Sequence, residues 1–148
     1  MRNCSEGSFD EARELISLFL SAEKLGYLEG KAGEKEILAS PEVPPLARLP
    51  LIVWINQGTL GPAEAVAAVL KEFKRAKLVG LETPGLSAKY TFYPLEDGTS
   101  VVLTSGVFCL NSGVKLWGQG AEPDITVKVD DQGFESFLSK TQPLLSAS

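Results

Sequence analysis

The sequence predicts an α/β fold in which a βαβ unit and C-terminal hairpins share a mixed sheet. Three observations carry this. Leu51 to Ile55 is a continuous apolar run of strand length, the pattern of a strand buried on both faces in a parallel sheet. Ala63, Val66, Ala67, Leu70 and then Phe73 or Lys74 form a helical stripe, and Lys77 to Gly80 reads as the next strand, so the two strands are parallel with a right-handed crossover. Asp97-Gly98, between the strand patterns Lys89–Tyr93 and Ser100–Thr104, is a strong hairpin signal.

The remaining elements follow in order. Phe9 to Ser21 reads as a helix with Phe9, Ala12, Ile16, Phe19 and Leu20 on one stripe. Ser8 is a plausible N-cap, and Glu11 three residues on completes a capping box. Leu25–Glu29 and Glu34–Ala39 read as short strands joined by the turn Gly30–Gly33. Ser40 to Pro50 is proline-rich and reads as a loop. The helix of the βαβ unit runs from about Gly61 to Arg75, with Pro62 in its first turn. Val107–Leu110, Val114–Trp117 and Ile125–Val129 read as further strands, and Phe134–Ser139 as a terminal helix. One domain over residues 1–142 and a loose tail over 143–148 are expected.

Composition narrows the chemistry. Histidine is absent, which removes Ser-His-Asp and Cys-His catalysis and most zinc sites. A hydrolase here would need a lysine, a carboxylate or a terminal amine as base. No cofactor is expected. Cys4 and Cys109 read either as a pair or as two buried thiols. The net charge of −5 argues against a nucleic-acid partner, and the cluster Lys71, Lys74, Arg75, Lys77 fits a helix C-terminus instead. No apolar run approaches the roughly 20 residues that span a bilayer. The first six residues lack an apolar h-region, so no signal peptide is expected on this chain; an exported parent would carry one upstream.

Several motifs, in order, resemble the carboxyl-terminal processing (tail-specific) serine protease family. The family's Arg-x-Asn-Pro-Gly-Gly turn corresponds to Arg2-Asn3-Cys4-Ser5-Glu6-Gly7. Its Asn-x-Gly-Thr-Ala-Ser-Ala-x-Glu motif corresponds to Asn56 through Glu64, and its Gly-x-x-Thr-x-Gly-Lys-Gly motif to Gly80 through Ser87. Its closing Gly-x-Gly-x-x-Pro-Asp appears as Gly118 to Asp124. The resemblance runs from Arg2 to about Val129. It implies a ClpP/crotonase-like core, an exported or periplasmic setting, and a peptide-binding PDZ domain and the start of the core upstream of Arg2. The strand missing ahead of Arg2 would leave an open edge, which favours a homo-oligomer or partner chain.

The same resemblance implies a site whose chemistry is gone. The family serine falls on Gly61, the lysine base on Leu86 and the glutamine on Tyr90. The oxyanion positions fall on Pro62, which has no N–H, and on the Ser5–Gly7 turn, where Glu6 would bring negative charge. Thr59, Gly61, Gly85, Ser87 and Lys89 are the candidates for an inherited peptide cleft. Lys89, three residues beyond Leu86 on an extended strand, is expected to face the other way, and Ser87 to lie in a turn. Glu64 reads as a dipole partner at the helix start. Trp54 and Trp117 read as core or interface residues. The expected function is a non-catalytic homologue that binds a peptide or protein partner. The alternatives are an active serine endopeptidase, with a displaced site or one completed by another chain or upstream domain, and a structural piece of an envelope protein.

Overall fold

The computed structural model describes residues 1–128 and 133–145. In chain order it has α1 (Phe9–Ser17), β1 (Ala22–Gly30), β2 (Lys35–Ser40), β3 (Ile52–Ile55), α2 (Pro62–Glu72), β4 (Lys77–Gly80), β5 (Ala88–Pro94), β6 (Ser100–Leu110), β7 (Ile125–Thr126) and α3 (Gly133–Leu145). The strands pair in two sheets. One is antiparallel, in the order β2-β1-β6-β5; the other is parallel, in the order β3-β4-β7. Parallel and antiparallel pairing therefore lie in separate sheets of the α/β fold.

The βαβ unit forms where the apolar run placed it, with Ile52–Ile55 against Lys77–Gly80 in parallel. Its helix is buried far beyond one stripe. Every residue from Ala63 to Leu70 is buried, Glu64 included. A helix apolar on all sides belongs in an interior. Here α2 contacts α1, β4 and β6, and its alanines let those neighbours come close. The core joins Ile16, Leu25, Val53, Val66, Leu70, Leu78 and Phe108. Phe9 stacks on Phe108 with centroids 5.6 Å apart, tying α1 to the antiparallel sheet.

Local signals hold with shifted ends. The capping box is formed: Glu11 N–H donates to Ser8 Oγ (3.1 Å) and Ser8 N–H to Glu11 Oε2 (2.7 Å). α1 ends at Ser17, short of the expected Ser21, where Phe19 and Leu20 N–H both turn back to Ile16 O. β1 runs from Ala22 to Gly30, longer than expected, and at Gly26 it lies so close to the Phe108 ring that a Cβ would clash, so only glycine permits that approach. The two strands expected across Ser100–Leu110 are one, since Ser105 bulges and the ladder resumes at Gly106. Val114–Trp117 is no strand. It makes a single bridge, Lys115 to Cys109, and leaves Trp117 exposed, so the core reading fails for that tryptophan. Trp54 is half-buried against Phe137. β7 stops at Thr126; Val129 lies outside the described residues. α3 is longer than expected and passes through Pro143 to Leu145, so the tail does not begin at residue 143; residues 146–148 lie outside the description.

The basic cluster is structural in part. Arg75 donates to Phe19 O, Leu46 O and Leu49 O, pinning the proline-rich loop, and Lys71 reaches Glu122 O and Asp124. Among the described residues no helix is long and apolar enough to cross a membrane. Cys4 and Cys109 are free thiols. Burial pushes the Cys109 thiol up, with the Glu29 carboxylate adding to the shift. In the native protein at pH 8, a thiol reagent should label half-buried Cys4 first and Cys109 only on unfolding. Equal labelling rates would contradict this packing.

Candidate functional site

The site is built at the N-terminus of α2. β3 delivers the chain to a tight loop, Asn56 to Gly61, and the helix begins at Pro62. Asn56 organises the loop: its Oδ1 accepts from Gly58 N–H (3.1 Å) and from Asn3 N–H (3.0 Å). Leu60 N–H donates to Cys4 O (2.9 Å), so the segment at residues 1–7 lies beside the loop. The corner is Gly61, with φ 58° and ψ −125°. A sharp strand-to-helix corner of this kind is where hydrolases present a nucleophile. A Cβ at Gly61 would meet nothing nearer than Leu86 O at 4.0 Å, so space does not exclude a side chain. Pro62, next in the chain, has no N–H to offer at the helix start.

The second wall is the segment from Thr83 to Ser87. Glu64 holds it. This carboxylate is fully buried and accepts three backbone N–H bonds: Gly61 (3.1 Å), Gly85 (2.7 Å) and Leu86 (2.7 Å). It is thus more than a dipole partner, because it ties the helix start to the opposite wall. From behind, Gly118 N–H donates to Gly85 O, Ala121 N–H to Thr83 Oγ1, and Asp124 exchanges bonds with the backbone of Leu78. The Gly-x-Gly-x-x-Pro-Asp motif is a brace for this wall.

Between the walls lies a groove of about 590 Å³. Its lining includes Gly61, Pro62, Leu86, Lys89 and Tyr90, from the predicted positions, together with Phe9 and Arg13 of α1 and residues 36–38 of β2. Three predicted cleft residues do not line it. Thr59 is buried and its hydroxyl donates to Met1 O (3.0 Å). Ser87 sits in the tight turn of residues 86–88, as expected, but is buried and donates to Gly61 O (3.0 Å), so it is not a groove hydroxyl. Gly85 is buried beneath the Gly118–Gly120 backbone. Glu6 lines a neighbouring hollow with Cys4, Ala63 and Val66, and that hollow shares Gly7, Ser8 and Pro62 with the groove.

Lys89 also departs from expectation. It lines the same groove as Leu86. The alternation argument fails because residues 86–88 are not extended: Ala88 N–H donates to Leu86 O, a tight turn, and β5 starts only at Ala88. Lys89 Nζ is paired with Glu36 Oε2 at 2.7 Å.

With this geometry in hand the family can be tested. The model of peptidase family S41 matches residues 1–127. The chain belongs to peptidase family S41. It is 34% identical over 112 residues to carboxyl-terminal-processing peptidase 1, chloroplastic, of Arabidopsis thaliana, covering 75% of this chain and 23% of that protein. It is 27% identical over 132 residues to carboxy-terminal processing protease CtpA of Bacillus subtilis, covering 88% of this chain and 28% of that protein. Among solved structures, it is similar to a photosystem II D1 C-terminal processing protease, with 26% identity, a TM-score of 0.78, and 89% of this chain against 36% of that one. Mature CPAF shares the fold, with 16% identity, a TM-score of 0.76, and 99% of this chain against 42% of that one. The S41 chain spans about a quarter of the length of the curated relatives named here.

Two variants test the site's construction. Glu64→Gln turns an amide N–H2 toward at least one of three N–H donors, and should lower unfolding free energy by about 2–3 kcal/mol in a urea titration. Gly61→Ser has room but takes on a left-handed corner, and should fold with a loss of about 1–3 kcal/mol. Unchanged stability in the first, or failure to fold in the second, contradicts the geometry described.

Proposed function

We propose that this S41 family member is a non-catalytic homologue of the carboxyl-terminal processing serine peptidases, acting as a peptide-binding or assembly module in an exported compartment. One observation carries the reading: the corner that fits a nucleophile is Gly61, with a backbone suited to the task and no side chain. Two neighbours add to it. Pro62 lacks an N–H, and loss of one oxyanion donor typically costs about 100- to 1000-fold in rate. Leu86, at the lysine position, carries no proton acceptor. The groove itself persists, with an apolar lining from Phe9, Leu38, Leu60 and Phe92.

A displaced Ser/Lys site finds little support. The Ser87 hydroxyl is committed to Gly61 O and buried, and Lys89 is paired with Glu36.

The purified chain, incubated with a fluorophosphonate probe and with unfolded peptide substrates, should take no label and release no product. Labelling abolished by Ser87→Ala, or cleavage abolished by Lys89→Ala, overturns the non-catalytic reading. In the same assay, Gly61→Ser combined with Pro62→Ala and Leu86→Lys should gain probe labelling at residue 61.

A further inference from the structure

Away from the groove, the proline-rich loop between β2 and β3 puts apolar side chains beside a basic hollow. Val43 on this loop is 90% exposed and Leu49 is 54% exposed. Leu49 lines a hollow of about 470 Å³ together with Arg48, Lys71, Lys74, Arg75 and Lys77. Those five cations are gathered in a chain that has only 14 Lys and Arg and a net charge of −5. The one carboxylate in the lining, Asp124, is occupied by Leu78 N–H and Lys71.

Two of the five cations serve the fold. Lys71 reaches Glu122 O and Asp124, and Arg75 donates to Phe19 O, Leu46 O and Leu49 O. The other three side chains, Arg48, Lys74 and Lys77, are exposed and have no hydrogen bond or ion pair among the described residues. α2 closes with Lys74 N–H on Lys71 O and Arg75 N–H on Leu70 O, a Schellman ending. Its left-handed residue is Lys74, with φ 56°, where helices ordinarily take glycine. The helix dipole favours a cation in this last turn, but it does not reach Arg48 on the loop or Lys77 at the start of β4. Like charges collected round one hollow repel, and an anion between them removes that cost.

The loop is ordered before anything binds. Pro41, Pro44, Pro45 and Pro50 each fix a φ angle, Leu46 N–H donates to Leu18 O, and Arg75 holds two of the loop carbonyls. Val43 and Leu49 are thus displayed by a fixed backbone, so little ordering entropy opposes their burial against a partner.

We propose that this loop and hollow dock the protein on an anionic phospholipid bilayer. Val43 and Leu49 enter the boundary between headgroups and acyl chains, and a phosphate headgroup lies among Arg48, Lys74 and Lys77. Apolar burial added to attraction for anionic lipid is how a peripheral protein lies on a bilayer without spanning it. Charge complementarity selects this occupant, since each cation near an anionic surface adds to the attraction. An acidic protein segment would meet the cations but leave Val43 in water. The β5–β6 hairpin exposes Phe92, Tyr93 and Leu95, yet its tip carries Glu96 and Asp97, which an anionic bilayer repels. The docking stands apart from the groove and survives if the groove binds nothing.

The test sediments the full chain with sucrose-loaded vesicles, either of phosphatidylcholine alone or of phosphatidylcholine with an equal part of phosphatidylglycerol. The protein should pellet with the mixed vesicles only, and about 0.5 M salt should weaken this by screening the exposed cations. Arg48→Gln, Lys74→Gln and Lys77→Gln together should lower the partition coefficient about 100-fold, at about fivefold per cation. Val43→Ser with Leu49→Ser should lower it about tenfold. Urea midpoints of these surface variants should match the parent's, so that lost binding is not lost folding. Leu95→Ser at the hairpin tip should leave the partition unchanged. Equal pelleting with both vesicles, pelleting with neither, or binding that survives either set of substitutions overturns the docking. So does full release by free glycerol phosphate at the concentration of the lipid, which makes a soluble phosphate the ligand. Binding of a polyglutamate peptide at the hollow in preference to mixed vesicles overturns it in favour of an acidic protein partner.

Discussion

A single buried carboxylate sets the geometry on which the site depends. Glu64 accepts from Gly61 at the corner before α2 and from Gly85 and Leu86 across the groove. A carboxylate is an acceptor at both oxygens, so one side chain can satisfy N–H groups from two separate segments. Without it three donors, those of Gly61 and Gly85 buried, would need other partners, and each unmet buried donor costs free energy. The distance between the two walls of the groove is therefore fixed by the reach of one residue, itself locked inside a helix that is buried on all sides.

The second constraint is the curl of the antiparallel sheet. Twist alone rotates neighbouring strands by some 20–25°. The bulge at Ser105 bends β6 further, and Gly26 lets β1 lie close over the Phe108 ring. The outcome is a sheet whose edges face one another over the groove, closed at the rim by Lys89 and Glu36. An exposed ion pair of this kind is worth at most about 1 kcal/mol, so it marks the approach of the edges and does not enforce it. The enforcement lies in the core beneath, where α1 and α2 fill the concave side.

Much of this was legible in the sequence, for stated reasons. The βαβ unit, the Ser8–Glu11 box and the Asp97-Gly98 turn depend on local patterns, and local patterns survive into the fold. The order of motifs identified the family because each marks a backbone bend: the corner at Gly61, the turn at Gly85, the brace at Gly118 and Gly120. What the sequence hid was which polar side chains go inside. Thr59 and Ser87 read as candidates for the cleft, yet both are buried and bonded to main-chain carbonyls contributed from distant segments. Glu64 carries the local mark of a helix N-terminus, and nothing local distinguishes that role from a buried tie. Lys89 departs from the expected face because period-two alternation does not hold across the turn at residues 86–88 that precedes the strand.

On the proposed reading, the residues that remove the chemistry are also those that local backbone physics favours. A nucleophile at the corner must hold a left-handed conformation that L side chains occupy at a cost of about 1–3 kcal/mol. Gly61 relieves that strain. Pro at the first helical position forfeits an N–H that the helix does not use and fixes φ at a helical value. Leu86 puts an apolar side chain on the groove wall beside Leu38, Leu60 and Phe92. The frame was retained because it is built of different parts: main-chain bonds to Glu64, Asn56, Thr83 and Asp124, in which none of the substituted side chains takes part. A site can therefore lose its reactive groups and keep its groove.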